Sequence, residues 1–410
     1  MSGLAGPIRS GGFLTRGRLV FVPCALLVGF ALALAFLALS AHGIHDYTGK
    51  RPLGTDYSDI YAAGNYVLDR KPAAPFAALR QYREEQRLFG AKTDFYGWHY
   101  PPYFLLLAAP LAALPYLLSL LVWQGMSFAF YLASIARLMR RFPQMTRRQW
   151  LVPAIAFPAV FINLTHGQNG FLTAGLMGFA LAFLDERPLL SGLCFGLMVY
   201  KPQFGLTIPL VLAATGRWRV FASATATVAA LTVGVIAIFG TGVWSAFLAS
   251  THFTRTVVLE QGAAGFFKID SVFAWVRMWN GPVWLAYLVQ GAVTVVAAAA
   301  VVRLWRSKAG FGARAMGLCL AAILTTPYSF DYDMMVLAPG IALMAGECCE
   351  TGFPPYARSL LAALWIVPLL ARPAAMTTLM PVGILTISAM FVLLARTSRP
   401  RLVTVAGRSR

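Results

Sequence analysis

Two carboxylates three residues apart, Asp56 and Asp59, stand at the head of the segment Gly54-Thr55-Asp56-Tyr57-Ser58-Asp59-Ile60-Tyr61-Ala62-Ala63-Gly64. The segment begins at a turn and runs into a helix, and the spacing puts both side chains on roughly one helical face. A carboxylate on a short rigid helix entry, hydrated enough to stay ionised, can serve as a general base toward an attacking hydroxyl. Asp56 is the first candidate and Asp59 the second. The competing reading makes Asp56 or Ser58 a helix N-cap, a role both residue types perform often. Seven of the 15 Asp and Glu residues lie between Asp46 and Asp94, and in so apolar a chain that cluster needs a reason.

Other polar residues stand out against apolar surroundings. Lys201 interrupts the run from Leu193 to Leu212. A cation at the centre of a membrane helix costs roughly 2.5–3.5 kcal/mol unless it is paired or faces water. It either snorkels to an interface or meets a partner, of which a bound phosphate is the most interesting. In His99-Tyr100-Pro101-Pro102 the prolines suit a helix start, while His99 and Tyr100 can contact a phosphate or a sugar. His166-Gly167-Gln168-Asn169 reads as a hairpin turn, although Gln168 would be costly inside a bundle without a partner, and Asn169 stands with it as a substrate contact. Asp331, in Tyr328-Ser329-Phe330-Asp331-Tyr332-Asp333, belongs either to an N-cap or to a sugar-binding edge. Lys268 and Arg277 are weaker phosphate candidates, with Arg255 beside them.

The elements that must position these residues are membrane helices. The 410 residues are 59% hydrophobic and only 12% charged, and apolar runs of spanning length recur. The first run, Leu19 to Ser40, is too long for a secretory signal and reads as an uncleaved helix. A net charge of +19 would suit nucleic acid, but the basic residues sit in short linkers, as the positive-inside bias requires, so nucleic acid is not expected as a partner. Cys24, Cys194, Cys319, Cys348 and Cys349 have neither metal nor redox spacing.

Basic linkers at Arg9 to Arg18, Arg137 to Arg148, Arg217 with Arg219, Arg303 to Arg314 and from Arg396 onward are expected on the cytoplasmic side. Twelve crossings follow, at 19–40, 99–137, 150–165, 169–184, 188–200, 203–216, 219–240, 282–303, 313–327, 332–346, 356–372 and 375–396, with both chain ends inside. The stretch 99–137 is long enough for two passes, yet parity allows one. Its proline-rich half, 99–114, is therefore expected to be a short re-entrant or tilted helix. The outer side then collects 41–98, His166 to Asn169, Lys201, the amphipathic segment 241–281, Pro327 to Asp331 and a turn at Arg372-Pro373. Within 41–98, Ser58 to Leu68 and Phe76 to Leu88 suit interfacial helices. The expectation is a single domain, 1–410, all-α and polytopic, in the cytoplasmic (inner) membrane of a bacterium.

No Gly-rich phosphate loop, Ser-His-Asp order or zinc spacing is present. A sugar nucleotide would be confined to the cytoplasm, away from these loops, so a lipid-linked donor is the natural substrate.

The ordered motifs resemble glycosyltransferase family 87, formerly DUF2029, polyprenyl-phosphate-sugar-dependent enzymes of the GT-C fold that include mycobacterial phosphatidylinositol-mannoside mannosyltransferases. The pieces span roughly residues 50–345: Asp56-Tyr57 with Tyr61-Ala62-Ala63, Tyr100-Pro101-Pro102, Gly167-Gln168-Asn169, Gly192, Lys201-Pro202 with Arg217-Trp218-Arg219, and Thr326-Pro327-Tyr328-Ser329-Phe330-Asp331. The resemblance implies a GT-C-like bundle, with Asp56 where the family carries its catalytic aspartate and Lys201 aligned with the lysine of a Lys-Pro break. Two departures stand out. Tyr332 replaces a histidine frequent in the family, and His99 precedes the Tyr-Pro-Pro segment.

What the resemblance implies is inverting transfer of a mannose-like hexose from a polyprenyl-phosphate donor to a lipid or glycan acceptor, with Asp56 as base and Lys201 stabilising the departing phosphate. Membrane lipids are the other expected partners. No cofactor is expected, and the logic requires no divalent metal. A transporter or flippase of isoprenoid-linked or amphipathic substrates would also use broken helices and intramembrane cations. A ligase or polymerase of lipid-linked glycans would rest instead on outer-loop arginine and histidine.

Overall fold

The computed structural model describes residues 2–397, so the basic tail beyond Thr397 lies outside it. Every regular element of the described residues is helical, which fits a chain whose backbone polar groups must be satisfied within each segment in lipid. An N-terminal helix α1 (Ser2–Ser10) precedes α2 (Arg16–Leu39), a spanning-length helix that is almost wholly exposed by protein and bears outward-facing Val20, Phe21 and Leu32. The segment that follows folds into α3 (Tyr57–Leu68) and α4 (Ala78–Phe89), close to the two expected interfacial helices and separated by Pro72 and Pro75.

The short helix α5 (Leu105–Ala112) and the long α6 (Tyr116–Met139) occupy the stretch that parity had split. Both ends of α5 lie at the same end of the bundle as α3. Pro101 lines the cavity there, and Leu114 O, just past the helix, accepts from Tyr61 Oη of α3. Gly64 of α3 makes this packing close, because a Cβ at that position would lie 2.2 Å from Ala108 O.

The expected crossing at 150–165 is two helices, α7 (Arg147–Ile155) and α8 (Pro158–His166), broken before Pro158. Next come α9 (Gly170–Phe183), α10 (Pro188–Leu197) and α11 (Thr207–Ala214), the last two flanking single 3₁₀ turns on either side of Lys201. The long α12 (Trp218–Phe239) is followed by α13 (Gly242–Phe253), a π-helical turn over Thr254–Glu260, and α14 (Val272–Met278). The C-terminal third holds α15 (Val283–Arg306), α16 (Phe311–Leu324), α17 (Leu337–Thr351), α18 (Ala357–Thr378) and α19 (Val382–Thr397).

Among the described residues, six helices are long and apolar enough to cross a membrane, and six shorter apolar helices accompany them. Each stretch expected to cross overlaps one or more helices, but the turn expected at Arg372-Pro373 does not exist. α18 continues through Pro368 and Pro373 to Thr378 and ends at Leu379 in the left-handed region, so Arg372 sits inside the helix. The buried core runs through the bundle with Tyr131, Phe104, Phe157 and Phe171 among its largest members.

The two ends of the bundle differ in chemistry. At one end, seven separate segments of the chain line one cavity. At the other, the basic linkers pair with the few carboxylates there: Arg137 with Glu186, and Arg217 with Asp185 at 2.7 Å.

Candidate functional site

The cavity has a volume of about 750 Å³, and its walls come from the 51–59 segment, 94–101, His166 with Gln168, 200–203, 247–268, 328–333 and Arg372. These are the loops that parity assigned to one side. Chain separation hides the grouping in the sequence.

Asp56 is the N-terminal flanking residue of α3, yet its side chain makes no capping hydrogen bond. Its Oδ2 instead accepts from Gln168 Nε2 at 2.8 Å. Gln168 Oε1 in turn accepts from Tyr100 Oη at 3.2 Å, and Tyr100 Oη accepts from Asn169 Nδ2 at 2.7 Å. Four side chains thus form one chain of hydrogen bonds ending on the carboxylate. Gly167 lets the loop dock. At φ +66° its missing Cβ would fall 2.5 Å from Tyr57 Cβ and 2.9 Å from Gly54 O, so the loop lies directly on the turn that carries Asp56. Trp123 Nε1 donates to Gly167 O and holds it from the far side. His166 Nδ1 and Thr55 Oγ1 are 2.8 Å apart, a second tie between the same two segments.

Asp59 faces the same cavity but is buried, with Oδ1 lacking a partner. Burial, then the nearby Glu85 and Asp56, hold its carboxyl well above the usual range, so it favours the protonated form and suits a base less well than Asp56. Glu85 is fully buried beneath this segment. It accepts from the backbone N–H groups of Tyr96 and Gly97 at 3.1 and 3.0 Å, and burial pushes it up to about 7.

Lys201 has a protein partner. Its ammonium is hydrogen-bonded to Asp333 Oδ1, both side chains are buried, and the ammonium lies 5.0 Å from the Tyr332 ring centroid. Asp333 Oδ2 accepts from Phe330 N at 3.0 Å, so the pair pins the broken helix around Lys201 to the start of the helix leading into α17. The segment 328–333 opens a helix, with the Asp333 carboxylate capping the backbone N–H of Phe330, and its Asp331 lines the cavity. Asp331 Oδ1 accepts from Tyr332 N at 2.8 Å, and its Oδ2 lies 3.6 Å from Arg372.

His99 lines the cavity and shares a hydrogen bond with Thr254 Oγ1 through Nδ1; burial pulls its pKa down to about 4, which keeps the ring neutral. Lys268 also lines the cavity, its pKa lowered by burial and then by the neighbouring Arg372. Arg277 departs from expectation. Its guanidinium donates to Glu260 O and Gly281 O and lies over the Phe266 ring, so it clamps a loop outside the cavity lining. Sequence reasoning gave Arg372 no role in the site, although an arginine late in a long apolar stretch was a usable signal. Arg51 also lines the site and was missed. Among the described residues, no three His, Cys, Asp or Glu side chains are grouped so as to hold a metal ion.

The sequence model of glycosyltransferase family 87 matches residues 98–327, more than half of the chain. The chain belongs to glycosyltransferase family 87. It is therefore a glycosyltransferase, and its apolar helices make it a membrane-embedded one. Family membership favours a transferase over the transporter reading. No curated protein and no solved structure matches the chain. The family match includes Tyr100, Gln168, Asn169, Lys201 and Lys268 but stops short of Asp56 on one side and Asp331 on the other. In this family 87 glycosyltransferase, a half-buried carboxylate aimed by a neutral amide shares the cavity wall with cations.

Proposed function

We propose that this glycosyltransferase moves a mannose-like hexose, with inversion, from a polyprenyl-phosphate donor to a hydroxyl of a lipid or glycan acceptor on the outer face of the bacterial cytoplasmic membrane. The observation that carries the reading is the Asp56 carboxylate, fixed by Gln168 in the wall of a cavity that also holds Lys268 and Arg372.

In this mechanism Asp56 takes the acceptor hydroxyl proton as the oxygen attacks the anomeric carbon. The new C–O bond forms while the bond to the donor phosphate breaks on the opposite face, and polyprenyl phosphate leaves with the electron pair. The proton on Asp56 then passes to water. Burial and then the neighbouring Arg372 disfavour the charge on Lys268, and an incoming phosphate would offset that penalty. Asp331 orients Arg372. Lys201, whose charge is already met by Asp333, supports the cavity wall. Tyr100, Gln168 and Asn169 act as positioning residues for the base.

The test is sugar transfer by purified protein from a radiolabelled polyprenyl-phosphate sugar. Asp56→Asn is expected to lower turnover by about 10²- to 10⁴-fold while donor binding and expression persist. Full activity in that variant would remove Asp56 as the base.

A further inference from the structure

At the end of the bundle opposite the candidate site, cations gather without matching anions. Thr215, Arg217, Trp305, Arg306 and Arg314 line a cavity of about 290 Å³ where the ends of α11 and α15 meet the first turns of α12 and α16. Arg217 is paired with Asp185. Among the described residues, neither Arg306 nor Arg314 has an ion-pair partner. Glu347, the carboxylate beside α16, accepts from Gly312 N.

The guanidinium carbons of Arg217 and Arg314 lie 5.9 and 5.8 Å from the Trp305 ring centroid, and Trp305 is only 3% exposed. The indole N–H of Trp305 and the Nε–H of both arginines are buried with no acceptor. Like charges held on one ring and three donors without acceptors are costly to maintain unless an anion completes the group.

We propose that this cavity binds the phosphate of an anionic ligand, either the headgroup of a membrane phospholipid or free inorganic phosphate. Arg306 and Arg314 supply the unpaired charge, and Trp305 with the two Nε–H groups supplies donors after small side-chain rotations. The surroundings suit a lipid: Trp218, next to Arg217, is 61% exposed, and Leu189 at the start of α10 is 66% exposed. An indole and apolar helix surface beside a basic pocket are what a headgroup and its acyl chains would meet.

The test is the thermal unfolding midpoint of the full-length protein in detergent. It is measured with added phosphatidylglycerol, with phosphatidylcholine, and with millimolar inorganic phosphate against chloride at equal ionic strength. A ligand of the folded state raises the midpoint. Phosphatidylglycerol is expected to raise it by a few degrees more than phosphatidylcholine. Arg314→Gln and Trp305→Phe should remove most of that difference, and Arg148→Gln, at an exposed position in the first turn of α7, should leave it intact. Inorganic phosphate alone reproducing the shift, with the same loss in both variants, assigns the site to free phosphate. If Arg314→Gln does not accumulate, Trp305→Phe, which removes the indole N–H together with the five-membered ring but keeps an aromatic six-membered ring at the site, carries the test. The proposal falls if neither phosphate source shifts the midpoint, if phosphatidylcholine shifts it equally, or if the shift survives Trp305→Phe.

Discussion

Gln168 donates a hydrogen bond to Asp56 across 112 positions of the chain, at 2.8 Å. Its own carbonyl oxygen is tied to Tyr100, whose hydroxyl is tied to Asn169. The amide therefore has a fixed orientation, with NH₂ toward the carboxylate, and the base has one preferred rotamer. Burying a neutral amide in this way costs little because both of its ends are satisfied.

Gln168→Leu should therefore impair catalysis more than binding. Removing the amide frees the carboxylate to rotate and strands the Tyr100 hydroxyl without its acceptor. We expect kcat to fall about ten- to a hundredfold with KM nearly unchanged, since misplacing a reacting group costs on that order. Steady-state kinetics with a lipid-linked donor check this. A change confined to KM would make Gln168 a substrate contact instead.

The close approach at Gly167 predicts a steric effect that can be separated from a backbone one. Gly167→Ala places a Cβ against Tyr57 and Gly54 in a left-handed conformation, whereas Gly216→Ala meets the same backbone penalty at φ +69° with nothing within 4 Å. The backbone term alone costs roughly 1–2 kcal/mol. Overpacking adds about 1–3 kcal/mol at Gly167. Thermal unfolding should show the larger loss for Gly167→Ala, and only that variant should also lose transfer activity, because its loop carries Gln168.

Lys201 and Asp333 form a buried pair, so single and double replacements should diverge. Lys201→Met leaves the Asp333 charge unpaired and should destabilise the protein by about 3–5 kcal/mol, as should Asp333→Leu. The double variant removes both charges and should recover a large part of that loss. Unfolding measurements in detergent on all three variants test it. If Lys201→Met instead folded as well as wild type and raised only the donor KM, Lys201 would be a direct phosphate contact.

The helices were legible because most apolar runs are bounded by a basic or proline-rich linker, and parity across those linkers foretold that polar segments far apart in the chain share one end. Lys201 announced that it needed a partner. Nothing local identified that partner as Asp333, 132 positions away. Gln168 was legible in the same incomplete way. Pro373 misled because proline usually breaks helices, whereas within a bundle neighbouring groups can satisfy the freed backbone and α18 runs through it. Arg277 misled for the opposite reason. Its partners are backbone carbonyls of Glu260 and Gly281, which carry no side-chain signal.

Glu85 gives the pH dependence that distinguishes this architecture. Burial raises its pKa from the ordinary 4.5 to about 7. Between those values the folded protein holds a proton that the unfolded chain releases, so raising pH through the window costs stability. The contribution is fully present below about 4.5 and is lost as pH passes about 7. His99 acts in the opposite sense: its pKa falls to about 4 from 6.5, so the unfolded chain binds the extra proton between those values and stability rises with pH there. The two effects oppose each other up to about pH 6.5, and of the two only that of Glu85 continues to about pH 7. Glu85→Gln cannot ionise, and its stability relative to wild type should climb steadily from pH 4.5 to pH 7 and then level. His99→Gln should lag wild type increasingly as pH rises from 4 to 6.5. Unfolding midpoints of the three proteins across pH 4–8 separate these slopes, and parallel curves for Glu85→Gln and wild type would show that the Glu85 carboxyl ionises normally in the folded state.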